Sequence, residues 1–400
     1  MKIHRRKFVK LLGKGIPGLF LLNSLPARSA ALAKTEGAEK EIIYRTLGKT
    51  GIRVPVVSSG IIPVDNLRLC RAIFRSGITF FDSAYVYTSG RNSAVLGEML
   101  KEFGRENFTI ATKLLLPTDP ETHLYNEEVM EEEFFKQLDA ELERLDISYI
   151  DILYTHKPNN RANVINPKVL ACFERAKKEG KVKFIGTSNH GHQAECIDAM
   201  IEVGAYDVAY IASNYQQLPD VAPAIERAAA AGLGIVAMKV HAGGFLDQEQ
   251  TMPVNKLAAA KWTLNNPRVA TATVTFRSYE DMEMHLPLMR DITMNDQERD
   301  DLKEFSHRAV FTSLFCHGCG ECVAQCPRKL PIPDTMRAYM YTYGYNDREK
   351  ALNTLSKLNI SSLACSDCTA CAVQCKHNFS VRERMADMCR MKENNSLNFA

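Results

Sequence analysis

Four hundred residues exceed what one hydrophobic core usually organises, so two domains, one of them large, are expected. The composition, 46% apolar and 24% charged, is that of an ordinary globular protein. The formal charge of +3 rests on the first 33 residues, which hold seven Lys/Arg and no Asp/Glu; without them it falls to about −4, which leaves no electrostatic case for nucleic acid.

In "HRRKFVK" the paired Arg5 and Arg6 precede Phe8 and Lys10; the apolar "IPGLFLL" follows, and "ARSAALA" supplies an A-x-A step ending at Ala33. Residues 1–33 resemble a twin-arginine signal peptide, which implies export of a folded protein to a periplasmic or other extracytoplasmic location. The apolar run is too short and too interrupted by Gly and Pro to span a bilayer. No later stretch approaches ~18 consecutive apolar residues, so no membrane span is expected in the mature chain.

From residue 54 onward, short β-branched or apolar runs alternate with longer helical patterns. The strand candidates are "VPVVSSG", "ITFFDSA", "FTIATKL", "YIDILYT", "VKFIGTS", "DVAYIAS", "LGIVAMK" and "VATATVT". Between them lie segments such as "EEVMEEEFFKQLDAELERL", where Val129, Met130, Phe134, Leu138 and Leu142 recur at helical spacing and the acidic run forms the solvated face. Eight β-then-α units predict a parallel (β/α)8 TIM barrel over residues 41–300. An open doubly wound sheet is the competing fold, but no glycine-rich dinucleotide fingerprint follows an early strand. Ahead of the first unit, "YRTLGKTGIRVPVV" predicts a hairpin that plugs one barrel end.

Barrel chemistry belongs at the carboxyl ends of the strands. There stand Asp82 after the second strand with Tyr87 just beyond, Lys113 after the third and His156 after the fourth. A phenol can protonate the alkoxide left by hydride transfer to a carbonyl, a lysine beside it favours phenolate, an aspartate keeps the lysine charged, and a histidine can orient the carbonyl oxygen. Tyr85 is a rival phenol that spacing from Asp82 disfavours. His190, His192 and His241 also fall near strand ends, as pocket-lining or solvated loop residues.

The segments "YRTLGKTGIRV", "GITFFDSAYVY", "LGEML", "ATK", "DILYTHKP", "GKVKFIGTSN" and "MKVHAGG" resemble, in order and spacing, the aldo-keto reductase signature across residues 44 to 290. The resemblance implies that Tyr87 is the general acid/base, Lys113 and Asp82 tune it, and His156 positions substrate. It further implies a small-molecule carbonyl or alcohol substrate and NADP(H), with Ser188 and Asn189 on the nicotinamide carboxamide and Arg277 on the cofactor phosphate. The chain departs from the family in "AYIASN", which puts Tyr210 in place of a common glutamine and Ser213 in place of a stacking tyrosine, and at His285, where an asparagine commonly contacts adenine.

Eight of the twelve cysteines fall in two runs. Cys316, Cys319, Cys322 and Cys326 have the spacing C-x2-C-x2-C-x3-C, followed by Pro327; Cys365, Cys368, Cys371 and Cys375 repeat it, followed by Lys376. A triple-then-single pattern occurring twice predicts two [4Fe–4S] clusters rather than zinc or disulfides. Cys316, Cys319, Cys322 and Cys375 are expected on one, and Cys365, Cys368, Cys371 and Cys326 on the other. Residues 301–395 therefore read as a small, mostly helical ferredoxin-type domain, with helical spacing from Thr335 onward. Cys70, Cys172, Cys196 and Cys389 read as core hydrophobes or inert thiols.

Three functions are open at this stage: a carbonyl–alcohol oxidoreductase with NADP(H); an exported electron-transfer subunit whose barrel docks a redox partner protein; and a reductase in which the clusters are structural clips. A hydride carries two electrons and each cluster passes one, and the chain holds no flavin motif to split the pair.

Overall fold

The computed structural model describes residues 41–60, 66–119, 122–312, 314–361, 365, 368 and 371–396. The twin-arginine motif and the rest of residues 1–33 lie outside the described residues.

An antiparallel hairpin, β1 (Tyr44–Thr46) and β2 (Arg53–Pro55), precedes eight parallel strands. These are β3 (Val57–Gly60), β4 (Phe80–Asp82), β5 (Thr109–Leu114), β6 (Ile150–His156), β7 (Val182–Asn189), β8 (Val208–Ala212), β9 (Gly234–Met238) and β10 (Val269–Val274). They close in sequence order, with β10 pairing back onto β3, and helices follow the strands around the outside. The expected (β/α)8 barrel is the observed fold. All residues of β6, β8, β9 and β10 are buried, because the barrel interior covers one face and helices the other.

The hairpin closes the amino-terminal end. Leu47 and Val54 are fully buried in one cluster with Phe80, Ile152 and Val236, and the Arg45 guanidinium donates to the carbonyls of Leu264, Asn266 and Val269. Gly48 has φ +51°, and a Cβ there would stand 2.3 Å from the Gly234 nitrogen, so only glycine lets the turn seat against the start of β9.

On the helix Met130–Leu145, Met130, Phe134 and Leu138 are buried while Glu131 and Glu132 face solvent. Val129, counted by periodicity among the apolar contacts, is its exposed N-cap residue.

The carboxy-terminal region is helical, with helices Asp296–Thr312, Glu321–Gln325, Ile332–Tyr339, Arg348–Ser356 and Val381–Ser396. The helix expected from Thr335 begins three residues earlier. Pro333 falls in its first turn, where the missing N–H removes no hydrogen bond. Its last turn runs into a π-helical turn, Met340–Gly344. Met336, Tyr339, Leu355, Met385, Met388 and Cys389 form the core of this region. The four isolated cysteines are all buried, and burial pushes the Cys172 and Cys389 thiols up to about 11. Among the described residues no helix is long and apolar enough to cross a membrane.

The segment between the two cysteine runs lies across the carboxyl end of the barrel. The Gly344 carbonyl accepts from the N–H groups of Gly244 (2.5 Å) and Phe245 (3.1 Å), in the loop after β9. Gln250 donates to the Tyr343 carbonyl at 3.0 Å.

Candidate active site at the barrel mouth

Under this cap lies a cavity of about 1180 Å³. Asp82, Tyr87, Lys113 and His156 all line it, brought together from β4, the turn after it, β5 and β6. The Lys113 ammonium bonds the Asp82 carboxylate and donates to the Ser83 carbonyl at 2.7 Å. It lies 5.2 Å from the centre of the Tyr87 ring, and that ring meets His156 edge-on with centroids 5.9 Å apart. Tyr85 contributes nothing to the cavity wall: its ring packs under the Arg144 guanidinium at 4.5 Å, and its carbonyl accepts from the same group.

Burial dominates the electrostatics. It raises the Asp82 carboxyl and lowers the Lys113 ammonium, each opposed by its partner. Burial, then the Asp82 charge and Tyr341, push the Tyr87 phenol well above its ordinary value. The lysine expected to favour phenolate spends its hydrogen bonds on Asp82 and Ser83 and meets the ring face. Tyr87 is therefore a protonated phenol at neutral pH. His156 is held well below its ordinary pKa by burial, then by the charges of Lys157, Lys113, Arg337 and Lys350, so it is a neutral imidazole.

The backbone is strained around this rim. Thr88, Ser89, Lys157, His192, Lys239 and Ala242 all have left-handed φ between 46° and 65°, a region costing an L residue about 1–3 kcal/mol. All of them except Ala242 line the cavity.

The residues expected to hold nicotinamide are less uniformly placed. Ser188 and Asn189, at the end of β7, are fully buried and add no surface to the cavity. The Ser188 hydroxyl has no hydrogen-bond partner among the described residues. Asn189 accepts from Thr187 at 2.6 Å and donates to the Pro158 carbonyl at 2.9 Å. Arg277 reaches the cavity, but its guanidinium donates to Asp347 of the cap at 2.8 Å. His285 bonds the Asp281 carbonyl through Nδ1 and the His241 ring through Nε2. The Ser188 hydroxyl is thus closed off from the cavity, and the Arg277 guanidinium is held by Asp347 of the cap.

The cysteines fall into two groups that mix the runs. Burial raises the Cys316 thiol, and Cys319 and Cys375 raise it further; the same two and Cys316 act on Cys322. Cys365 is raised by burial, then by Cys326, Cys371 and Cys368. Backbone N–H groups of Gly318 and His377 point at the sulfurs of Cys316 and Cys375, each at 3.4 Å, as donors do toward cluster thiolates. Cys316, Cys319, Cys322 and Cys375 line one small pocket together.

Several site residues escaped sequence reasoning. Arg337, Tyr341, Asp347 and Lys350 of the cap line the cavity, and no local motif marks them. Tyr210, noted only as a departure, is 4% exposed with its ring 5.0 Å from the Lys113 ammonium. Lys157 and Lys239 carried a readable signal, a basic residue directly after a buried strand.

Known proteins place these features in context. The aldo/keto reductase family model matches residues 57–278, and a 4Fe-4S dicluster domain model matches residues 315–380. L-galactose dehydrogenase of Arabidopsis thaliana is 27% identical over 231 residues, covering 52% of this chain and 68% of that protein. "Probable aldo-keto reductase 1" of Glycine max is 32% identical over 126 residues, covering 31% and 35%. The chain spans about half or less of most of the first curated relatives it matches, from 35% to 68% of their own length. Among solved structures, an aldo-keto reductase from Bacillus halodurans in its holo form superposes with TM-score 0.55 at 17% identity, over 66% of this chain and 96% of that one. A thermostable aldo-keto reductase bound to the inhibitor epalrestat gives TM-score 0.51 at 20% identity, over 67% and 100%. At these identities the structures establish the fold.

Proposed function

Since the chain belongs to the aldo/keto reductase family and carries a 4Fe-4S dicluster domain, we propose that it is an exported oxidoreductase that interconverts a carbonyl and an alcohol with NADP(H), and that two [4Fe–4S] clusters pass single electrons to or from a redox partner protein, with a flavin or quinone supplied from outside this chain splitting the hydride pair. The observation that carries this reading is the convergence of Asp82, Tyr87, Lys113 and His156 on one capped cavity.

A bound nicotinamide would supply or accept the hydride. The chain's own residues do the rest. Protonated Tyr87 presents its hydroxyl to the carbonyl oxygen and gives up its proton as negative charge develops there. Neutral His156, its Nδ1 without a partner among the described residues, orients that oxygen. Lys113, anchored by Asp82 and Ser83, stabilises the phenolate once the proton has left. In the second domain Cys316, Cys319, Cys322 and Cys375 would hold one cluster, and Cys365, Cys368, Cys371 and Cys326 the other.

The Arg277–Asp347 pair favours a second reading. A phosphate site filled by the protein's own carboxylate suits an electron-transfer subunit whose barrel is a docking scaffold. Anaerobic purification, addition of NADPH with a panel of carbonyls, and electron paramagnetic resonance of the clusters separate the two. Turnover with cluster reduction supports the oxidoreductase; absence of any nicotinamide binding sinks it and leaves the scaffold.

A further inference from the structure

Nine Lys and Arg side chains line the cavity against five Asp and Glu. Four cations are answered: Lys113 by Asp82, Lys256 by Asp281, Arg277 by Asp347 and Arg337 by Asp334. Lys157 and Lys239 have no such answer. Neither ammonium has a hydrogen-bonding or ion-pair partner among the described residues. The carboxylate that acts on Lys157, Asp334, is already bonded to Arg337 at 2.5 Å; the Lys239 ammonium stands 5.9 Å from the Phe315 ring and is acted on by the Cys316 thiol, but no carboxylate bonds it. Both stand directly after a barrel strand, β6 and β9, in the left-handed conformation (φ 65° and 53°).

Lys157 and Lys239, with Arg337 of the cap, line the same cavity as two histidines, His156 and His190. His190 is 8% exposed, and neither of its ring nitrogens has a partner among the described residues. Its ring lies 5.6 Å from that of His156, which in turn faces Tyr87. Lys239, Arg337 and Lys157 all act on His190, and Lys157 and Arg337 on His156. So the positive field is centred one ring away from the proton donor. Arg337 has Asp334 as its counter-charge and the two lysines have no carboxylate of their own, so burying the three together is costly, and a bound anion offsets that cost. A neutral carbonyl does not.

We infer that Lys157, Lys239 and Arg337 form a binding site for an anionic group, a carboxylate or a phosphate, on the substrate, whose reacting carbon then faces Tyr87 and His156. The inference rests on the carbonyl–alcohol reading and narrows it to acidic oxo compounds and their alcohols. Arg337 comes from the cap, so the specificity determinant is shared between the two matched domains.

The test is calorimetric titration of the anaerobically purified holoprotein with benzoate, benzyl alcohol and inorganic pyrophosphate. Benzoate is expected to bind at least about tenfold more tightly than benzyl alcohol, and Lys157→Met and Lys239→Met each to weaken benzoate by about tenfold, with Lys157→Arg restoring it. Equal affinity for benzoate and benzyl alcohol overturns the proposal. So do lysine variants that weaken pyrophosphate alone, since the anion is then the dinucleotide's own. No hydride donor enters this measurement, so lysine-dependent benzoate binding in a protein that turns over no carbonyl sinks the reductase reading and leaves the anion site standing.

Discussion

Gly191, two residues past the end of β7, and Gly318, inside the first cysteine run, meet backbone to backbone: a Cβ on Gly191 would stand 2.6 Å from the Gly318 carbonyl oxygen. The barrel and the first cysteine loop therefore touch at a point where no side chain fits. Gly191→Ala is expected to cost about 1–3 kcal/mol of this docking. Limited proteolysis between residues 301 and 330 should show faster cleavage than in the parent. Unchanged cleavage would mean that the contact contributes nothing to holding the domains together.

Lys113 and Asp82 form a pair that is almost wholly buried. Removing one partner leaves the other uncompensated, so Lys113→Met is expected to destabilise the protein by about 3–5 kcal/mol. The double change Lys113→Met with Asp82→Asn should recover most of that loss in chemical denaturation, while activity stays lost.

Tyr87 lines the cavity and Tyr85 does not. Tyr87→Phe should lower kcat by about 10²–10⁴-fold with little change in substrate binding, whereas Tyr85→Phe should stay within about twofold. If the two variants behave alike in steady-state kinetics, the assignment of the proton donor is wrong.

Burial, with Arg337 beside it, lowers the Lys157 ammonium from its ordinary value to about 8. A bound anion favours the charged form, so benzoate affinity should be level below pH 8 and fall by up to about tenfold per unit above it; benzoate itself, with a carboxyl pKa near 4, keeps its charge throughout. The stability contribution has the opposite slope. Between about 8 and 10.5 the unfolded chain holds a proton that the folded one has released, so the penalty for this lysine is full below pH 8 and fades as pH rises. A benzoate profile that is flat to pH 10 would remove Lys157 from the anion site.

Asp347 accepts from the Arg277 guanidinium and would compete there with a cofactor phosphate. Asp347→Asn should tighten NADPH binding by about five- to tenfold at low ionic strength, and the gain should shrink in high salt. Fluorescence titration of NADPH against both proteins is the measurement. Equal affinities would show that Arg277 does not meet the cofactor phosphate.

The barrel was legible because each strand is a run of apolar or β-branched residues covered on both sides, and its turns and helices follow at regular intervals. The tetrad was legible for a related reason: strand ends are fixed by those runs, so Asp82, Lys113 and His156 could be counted to the same rim. The cap was not. Arg277 and Asp347 are 70 residues apart, and nothing local in "YGYNDREK" says that it folds over β10. The direction of the Tyr87 shift was also beyond the sequence, because it depends on how deeply the cap buries the phenol. Pairing of cysteines across the two runs was read from spacing, which carries that much because three thiols at two-residue gaps leave the fourth to reach elsewhere.

Arg337 and Tyr341 belong to the 38 residues between Cys326 and Cys365, so both walls of that segment end on cluster ligands. If the clusters fix those ends, the pocket is finished only when iron and sulfide are in place. A chain without its metals would then carry an intact barrel under a loosened cap, and cluster loading would govern the shape of a pocket whose floor the barrel alone provides.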